Sequence, residues 1–422
     1  MADQAGARRR VIARHAFRSG ARIALRLALV SLGMSAAALA DGSGSGSLRA
    51  SLLSGPAFGN EVEGSLVRAI VGLRDQGMKH AMGEIDRALL LNPNFRLGHL
   101  VRGDMLMARA GRPVAFASAS AAPGSVAHLE DEARVRLRRY LDAPPVDYMP
   151  APLLQLAPSQ THALLVDTSR SRLFVYANDN GRPRYVTDFY ISLGKNGVEK
   201  QREGDQKTPI GIYTILSTKE KLPDFYGPRA FPLSYPNDWD RLNGRNGHGI
   251  WFHGTPSETY SRPPWATDGC VVLTNDDLAK LTAYVDVSRT PVVIGQAVEW
   301  RDSKQWQADR DAFMASFARW RTDWESLDLN RYFANYSTDF RSDSNDLANW
   351  KAKKRKTNAG KAWIKVGVHE MSFFAYPGAR EMMMVTFEQE YRSSNLSNRT
   401  VKRQYWVREG KDWRIVHEAV IT

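Results

Sequence analysis

Near the middle of the chain, one cysteine and one histidine have the side chains for nucleophilic chemistry. Cys270 is the only cysteine among the 422 residues, and His253 lies seventeen positions before it, at the end of an apolar run. A cysteine attacks as a thiolate, and a histidine can serve as its base if the intervening loop folds back. The pair therefore indicates acyl transfer, in which the thiolate attacks a carbonyl, forms a thioester and passes the acyl group to an amine or to water.

Two glycines adjoin these residues and suit that chemistry. Gly254 allows the backbone to pass closely behind His253, so that its carbonyl could orient the imidazole ring. Gly269 allows a tight turn in which the N–H groups of Gly269 and Cys270 would form an oxyanion hole. We therefore predict four catalytic residues, namely Cys270, His253, Gly254 and Gly269.

The segment that carries the pair resembles the L,D-transpeptidase catalytic domain. That family has a His-Gly, a variable loop, then Ser/Thr-His-Gly-Cys and a later Asn. Here the sequence reads His253-Gly254, then Thr267-Asp268-Gly269-Cys270, then Asn275, and a further family block is GDQKTPIGIY at 204–213. The resemblance implies a β-sandwich-like fold and peptidoglycan stem peptides as the substrate, cut between an L-centre and a D-residue. It implies no metal and no organic cofactor.

Two positions depart from the family pattern. Asp268 replaces the histidine that usually precedes Gly-Cys, and Val272 replaces an arginine that often follows the cysteine by two residues. Asp268 could hold a loop, or it could position a water or the cationic amine of a diamino acid. We predict that substrate is bound by residues of the loop between the histidine and the cysteine: Asp268, Thr267, Tyr260 and Arg262.

The surrounding elements predict a multidomain α+β protein. Short apolar runs separated by turn residues predict a mainly β catalytic domain at 159–298. Before it, apolar stripes predict a helical, tetratricopeptide-like segment at 61–142, followed by a proline-rich linker at 143–158. One stripe consists of Ile85, Ala88, Leu89 and Leu90. We expect these helices to pack or to form a homodimer.

The C-terminal region, 305–422, resembles the nuclear-transport-factor-like (NTF2-like) cone fold, with helices followed by a curved sheet. A helix from 305 to 327 carries a stripe of large aromatic residues: Trp306, Phe313, Phe317, Trp320 and Trp324. The cone could bind a glycan or another ligand, and the polar residues that could line it are His369, Glu388, Glu390 and His417. The lysine-rich run Lys351–Lys356 is predicted to be a solvated helix face.

Three functional hypotheses follow from these resemblances. The catalytic motifs favour an L,D-transpeptidase that acts on tetrapeptide stems. The domain order is similar to that of the cell-shape L,D-carboxypeptidases, which favours trimming of a tetrapeptide to a tripeptide with water as the acceptor. Asp268 and Val272 leave room for a non-catalytic cell-wall-binding scaffold.

The N-terminus predicts export. Residues 1–40 contain seven arginines and a short apolar run that ends in Ala38-Leu39-Ala40, which is typical of a signal peptide, and 41–60 form a flexible Gly/Ser linker. An uncleaved membrane anchor is the alternative. The formal net charge is +13, but export removes nucleic acid as a partner, so we expect a periplasmic protein whose partner is peptidoglycan.

Overall fold

We describe the fold from a computed structural model. It describes residues 60–112, 125–141, 147–342, 345–378 and 380–421. The predicted signal peptide and nearly all of the Gly/Ser linker lie outside the described residues. The chain divides into two compact units: one contains the N-terminal helices together with Thr255–Pro264, and the other contains the rest of the chain from Pro144 onward.

The first unit consists of four described helices and the short segment Thr255–Pro264. The helices are α1 (Glu61–Asp75), α2 (Met78–Leu91), α3 (Arg96–Arg109) and α4 (Ser125–Leu141). Ile85 and Ala88 are fully buried in its core, but Leu90 is 84% exposed, so the predicted stripe is wrong at that position. The homodimer through these helices stays a prediction. Among the described residues, no helix is both long enough and apolar enough to cross a bilayer.

The catalytic region is built mainly from short strands. They are β1 (Met149–Pro150), β2 (Leu153–Gln155), β3 (His162–Asp167), β4 (Arg172–Asp179), β5 (Arg182–Tyr190), β6 (Leu193–Gly194), β7 (Gly211–Thr214), β8 (Lys219–Glu220), β9 (Arg229–Pro232), β10 (Trp251–His253), β11 (Trp265–Thr267), β12 (Val271–Val272), β13 (Pro291–Gly295) and β14 (Trp300–Arg301), with helices α5 (Asp238–Leu242) and α6 (Asn275–Leu281). One sheet has the order β5-β4-β3-β13-β7, and another has the order β12-β10-β9-β8.

The central strands β3 and β13 of the five-stranded sheet are buried on both faces, which explains their continuous apolar runs. In β3, Leu164 and Val166 pack into a cluster that also contains Phe252 of the four-stranded sheet. The alternate residues Ala163 and Leu165 belong to a different cluster on the opposite face. Because successive side chains of a strand point to opposite faces, β3 contributes to two cores at once.

The C-terminal region combines helices with a long antiparallel sheet. Its elements are α7 (Ser303–Glu325), α8 (Leu329–Ala334), β15 (Tyr336–Ser342), β16 (Asn345–Asp346), α9 (Leu347–Asn358), β17 (Ile364–Ala375), β18 (Met382–Ser393), β19 (Leu396–Glu409) and β20 (Asp412–Val420). The aromatic stripe predicted for the first helix is buried in one cluster with the sheet. The predicted fold class, a multidomain α+β protein with a mainly β centre, is confirmed.

Residues 149–155 correct the prediction of a linker at 143–158. Strand β2 is the edge strand of the seven-stranded C-terminal sheet, whose order is β16-β15-β20-β19-β18-β17-β2. It pairs antiparallel with β17, so that Leu153 lies beside Phe374. The prolines that suggested a linker flank this strand, which is short and at an edge, where proline is tolerated.

The catalytic and C-terminal regions share a hydrophobic cluster and several polar contacts. Phe374 and Tyr405 of the C-terminal sheet belong to the same cluster as Ala163 and Leu165 of β3. Trp239 of α5 stacks on Tyr405, with ring centroids 5.5 Å apart. Beside it, Arg403 Nη1 lies 3.0 Å from Asp238 Oδ2. The two regions therefore form one continuous body of packed side chains.

Lys354 corrects the prediction that the lysine-rich helix face is solvated. It is half-buried, and its ammonium nitrogen lies 5.5 Å from the centre of the Trp324 ring and 5.3 Å from that of Trp350. Burial, followed by the like charge of Lys402, lowers the pKa of Lys354 to about 8. The neighbouring Lys353 and Lys356 are exposed as predicted.

Because of the shared cluster, we predict that the catalytic and C-terminal regions unfold together. Pulsed hydrogen exchange across a urea series should show peptides from β3 and from β18 losing protection at the same urea concentration. Phe374→Ala should move both transitions to lower urea, with a cost of about 3–5 kcal/mol for truncating a buried phenylalanine. Phe225→Ala, at an exposed phenylalanine, is the control. A shift confined to the C-terminal peptides would contradict the prediction.

Candidate active site

His253 lies at the end of β10 and is 2% exposed. Its Nδ1 is 2.8 Å from the carbonyl oxygen of Gly254. A carbonyl only accepts hydrogen bonds, so Nδ1 carries the proton and the neutral ring keeps its lone pair on Nε2. The contact predicted between the Gly254 carbonyl and the histidine is therefore present, and it sets the tautomer that a general base requires.

Gly254 is required by a close approach of Asn275. A Cβ atom on Gly254 would lie 2.1 Å from Asn275 Oδ1, closer than any real contact. Asn275 is the first residue of α6, whose N-cap is Thr274. The later asparagine of the family motif thus packs against Gly254, the residue after the histidine, a position that its spacing in the sequence does not reveal.

Two aromatic side chains lie beside the ring of His253. The Tyr226 ring centroid is 5.1 Å from that of His253, at an interplanar angle of 72°, and the Phe225 centroid is 6.2 Å away. The Tyr226 carbonyl also accepts the N–H of Gly254 at 2.9 Å. These two aromatic residues were not predicted as site residues, because only the folded chain brings 225–226 next to 253.

The pairing of β10 with β12 sets where the cysteine turn lies relative to His253. Strands β10 and β12 are parallel, with His253 beside Val272. Phe252 and Val271 point into the core between the sheets, so His253 and Val272 face the other way. Cys270 itself precedes β12, two residues before Val272, so the strand pair holds the cysteine turn next to the histidine.

Cys270 is half-buried at the end of a strained turn. Its Sγ lies 3.3 Å from the carbonyl oxygen of Gly249. Gly269 before it has φ +123°, and a Cβ atom there would lie 2.7 Å from the carbonyl oxygen of Lys207. Only glycine fits this position, as the sequence predicted.

Thr267 stabilises this turn and does not face a substrate. Its side chain is buried, its Oγ1 accepts the N–H of Gly269 at 3.1 Å and donates to the carbonyl of Cys270 at 2.7 Å. Two predictions are corrected by this geometry. Thr267 is a structural clamp, and the Gly269 N–H is already engaged, so it is not available as an oxyanion donor in this conformation. The N–H of Cys270 as an oxyanion donor stays a prediction.

Thr208 is a second clamp that the sequence analysis did not identify individually. Its buried Oγ1 donates to the carbonyl of Gly269 at 3.1 Å and accepts the N–H of Gly194 at 2.9 Å. It belongs to the family block at 204–213, which gave the only signal that this threonine matters. The block therefore contributes to the site by holding the cysteine turn.

Asp205 organises the loop that leads to Thr208. It accepts hydrogen bonds from Lys200 Nζ at 2.7 Å and from the backbone N–H groups of Gln201, Arg202 and Lys207. Burial alone would raise the pKa of Asp205, but these donors outweigh it and lower the pKa to about 2.

Asp268 faces solvent and pairs with residues of a neighbouring loop. Its Oδ1 lies 2.9 Å from Lys195 Nζ and accepts a hydrogen bond from Gln206 Nε2 at 3.1 Å. The side chains of Asp268 and Lys195 are 71% and 47% exposed. Of the predicted roles, this arrangement matches the holding of a loop.

Tyr260 and Arg262 belong to the helical unit. Tyr260 is 4% exposed, and its hydroxyl donates to Asn60 Oδ1 at 3.0 Å. This burial argues against Tyr260 as a ligand of a substrate carboxylate. Arg262 is half-buried, and its predicted substrate contact stays a prediction.

Three of the four polar residues predicted to line the cone are brought together. His369 is the register partner of Glu388, and its Nε2 lies 3.5 Å from Glu390 Oε2. His369, Glu388 and Glu390 lie on the adjacent strands β17 and β18, where Glu388 and Glu390 pair with surface arginines. His417 lies on β20, two strands away, and is buried with its Nδ1 2.7 Å from the carbonyl of Arg341.

We predict that Thr208→Val loosens the cysteine turn. The substitution keeps the shape but leaves the buried N–H of Gly194 and the carbonyl of Gly269 without their hydroxyl partner. Each unsatisfied group costs about 1–3 kcal/mol, so urea unfolding should show a lower stability and iodoacetamide should alkylate Cys270 at a changed rate. Thr208→Ser keeps the hydroxyl and should behave like the wild type. Equal stability of the valine and serine variants would refute the clamp.

The lowered pKa of Asp205 predicts a specific pH dependence. A carboxylate whose pKa is lower in the folded chain than in the unfolded chain stabilises the fold above the unfolded value, near 3.8, and this contribution is lost as the pH falls toward 2. The urea midpoint of the wild type should therefore fall more between pH 4.5 and 2.5 than that of Asp205→Asn. Parallel pH profiles for the two proteins would be the contrary result.

Comparisons with known proteins agree with this architecture. Residues 161–294 match the L,D-transpeptidase catalytic domain family, and 312–419 match the Cds6 C-terminal NTF2-like domain family. YafK of Escherichia coli (strain K12), named as an L,D-transpeptidase, is 30% identical over 86 residues, which are 20% of this chain. The match spans only 31% of that relative's length.

Two solved structures resemble more of the chain. Bd1075 of Bdellovibrio bacteriovorus has 26% identity and a TM-score of 0.58, over 65% of this chain and 98% of that one. The helical cell shape determining protein Pgp2 of Campylobacter jejuni has 26% identity and a TM-score of 0.55, over 64% and 95%. On its motifs, its strand register and these matches, the chain contains an L,D-transpeptidase catalytic domain followed by a C-terminal NTF2-like domain.

Proposed function

We propose that this chain modifies peptidoglycan as a cysteine acyl-transferase, with Cys270 as the nucleophile and His253 as the base. The observation that carries the proposal is the pairing of His253 with Val272, two residues after Cys270, with the histidine tautomer set by Gly254. The match to the L,D-transpeptidase catalytic domain supports a stem peptide as the substrate.

The proposed first half of the reaction forms a thioester. His253 Nε2 removes the thiol proton of Cys270, and the sulfur attacks the carbonyl carbon of the L-centre in a tetrapeptide stem. The C–N bond to the terminal D-residue breaks, and the histidine returns the proton to the leaving amine. The chain's own side chains supply each of these proton transfers.

For the second half we propose water as the acyl acceptor, which makes the reaction an L,D-carboxypeptidation. His253 then removes a proton from the water, and the water oxygen attacks the carbonyl carbon of the thioester. The C–S bond breaks, the histidine returns the proton to the sulfur of Cys270, and the tripeptide leaves with a new carboxyl group, which ionises in solvent. The Asp268–Lys195 ion pair supports this choice, because a cationic amine acceptor would have to displace Lys195 from the carboxylate beside the nucleophile. The resemblance to a cell shape determining protein supports it as well, because the domain order is similar to that of the cell-shape L,D-carboxypeptidases.

Transpeptidation is the second candidate, and the 30% identity to a protein named as an L,D-transpeptidase favours it. Its first half is the same thioester, but an amine of a second stem peptide attacks in place of water. Either reaction takes place on the cell wall, so the proposal includes export through the N-terminal arginine-rich and apolar segment.

Incubation of the purified chain with a disaccharide-tetrapeptide, with and without a free D-amino acid, tests the proposal by the masses of the products. We expect disaccharide-tripeptide alone, with no product from Cys270→Ala and a loss on the order of 10²–10⁴-fold for His253→Gln, as expected for removal of a general base.

The outcomes separate the candidates. Cross-linked dimers, or tripeptide extended by the added D-amino acid, would establish the amine as the acceptor and transpeptidation as the reaction. A folded wild-type protein with a free thiol and no product of either kind would favour the non-catalytic scaffold.

A further inference from the structure

The loop between the histidine and the cysteine belongs structurally to the helical unit. The chain enters that unit after Gly254 and leaves it before Trp265, so Thr255–Pro264, here called the flap, is held there. One end of the flap continues directly from His253-Gly254. The other end leads through β11 into Thr267, which clamps the cysteine turn. Whatever holds the flap is thus connected through the backbone to both sides of the proposed site.

Tyr260 is the first anchor of the flap. Its ring packs edge-on against Phe95, with centroids 4.9 Å apart and an angle of 68°. Its hydroxyl donates to Asn60 Oδ1 at 3.0 Å, and the same oxygen accepts the N–H of Val62 at 2.9 Å. Asn60 therefore caps α1 and holds the flap with one side-chain oxygen.

Ser261 is the second anchor. Its hydroxyl donates to Glu132 Oε1 at 2.8 Å, and Glu132 of α4 is only 2% exposed. Arg136, fully buried one turn later, pairs with Glu132 at 2.9 Å and with Glu63 of α1 at 3.3 Å. Moving one member of such a buried ion pair is costly in free energy, because it leaves an uncompensated buried charge. The flap is therefore attached to a rigid part of the helical unit.

The flap also contains internal hydrogen bonds. Thr255 is 1% exposed, and its hydroxyl donates to the carbonyl of Thr259 at 2.5 Å. The N–H of Thr259 donates to the carbonyl of Pro256 at 2.8 Å. Such bonds make the segment a compact loop whose position is set by its anchors.

We propose that the helical unit, through Tyr260 and Ser261 as positioning residues, sets the conformation of the flap that joins His253-Gly254 to the cysteine turn. By holding the flap in one arrangement before substrate arrives, it removes an ordering cost that a free loop would incur when the stem peptide binds. The kinetic part of this inference rests on the proposed function, whereas the anchoring itself does not.

The experiment uses full-length protein and three measurements: hydrogen exchange of peptides covering 255–264, KM and kcat on the disaccharide-tetrapeptide, and the rate of Cys270 alkylation by iodoacetamide. For Tyr260→Ala we expect at least ten-fold faster exchange in the flap and at least a ten-fold higher KM. kcat should stay within three-fold and alkylation within two-fold of the wild type. Tyr260→Phe keeps the ring in the cluster and should recover most of both effects.

A second variant tests transmission from within the helices. Ile85→Ala, in the core of α2 and outside the flap, should also accelerate flap exchange and raise KM. Ile415→Ala, at an equally buried isoleucine of the C-terminal sheet, is the matched control and should leave both unchanged.

The contrary results are distinct. If Ile85→Ala leaves the hydrogen-exchange rate of the flap unchanged, the helices do not hold the flap. Faster exchange with an unchanged KM would show that its position does not matter for binding. If the wild type has no activity on the tetrapeptide, the proposed function fails, and the exchange measurements alone decide the anchoring.

Discussion

The site depends on how four backbone positions, Thr267 to Cys270, are held. Two buried threonine hydroxyls define this turn, one from within it and one from Thr208 on a separate loop. Gly269 reaches its left-handed conformation only without a side chain, because the carbonyl of Lys207 occupies the space where a Cβ would lie. Cys270 is thus placed by backbone groups whose hydrogen bonds are satisfied, and leaving such a buried group without a partner costs free energy.

The residues that were predictable from the sequence are those whose side-chain chemistry the proposed reaction needs. A lone cysteine and a histidine have side chains suited to acyl transfer, and the structure pairs His253 with Val272, two residues after Cys270. The supporting contacts could not be read in the same way. Thr208 lies 61 residues from Gly269 in the chain, and which of several hydroxyls meets a given carbonyl is decided only by the folded path. The same reason explains why the contact of Tyr260 with Asn60, 200 residues away in the chain, could not be read from the sequence.

Charged residues were the other source of error. Lys354 follows Trp350 by four residues, so both lie on the same side of α9, and the lysine is drawn over the aromatic rings of the cone. Glu132 and Arg136 have the same spacing on α4 and are almost completely buried. The spacing of charged residues along a helix predicts which of them share a face. It does not predict whether that face is exposed to solvent or buried. The aromatic stripe of α7 was predictable because large apolar side chains favour burial wherever a partner surface exists.

Strand β2 has a consequence for how such a chain could be recombined. The residues before the catalytic strands complete the edge of a sheet whose other six strands all follow them, so the catalytic domain is in effect inserted into the C-terminal one. Consider a chimera in which the chain from residue 159 onward is joined to a different N-terminal part. Its C-terminal sheet would lack strand β2, which lies before the junction. It would leave the β17 backbone groups near Phe373 and Phe374 open to pairing with another chain. A transferable C-terminal domain must therefore be assembled from two separate stretches of sequence.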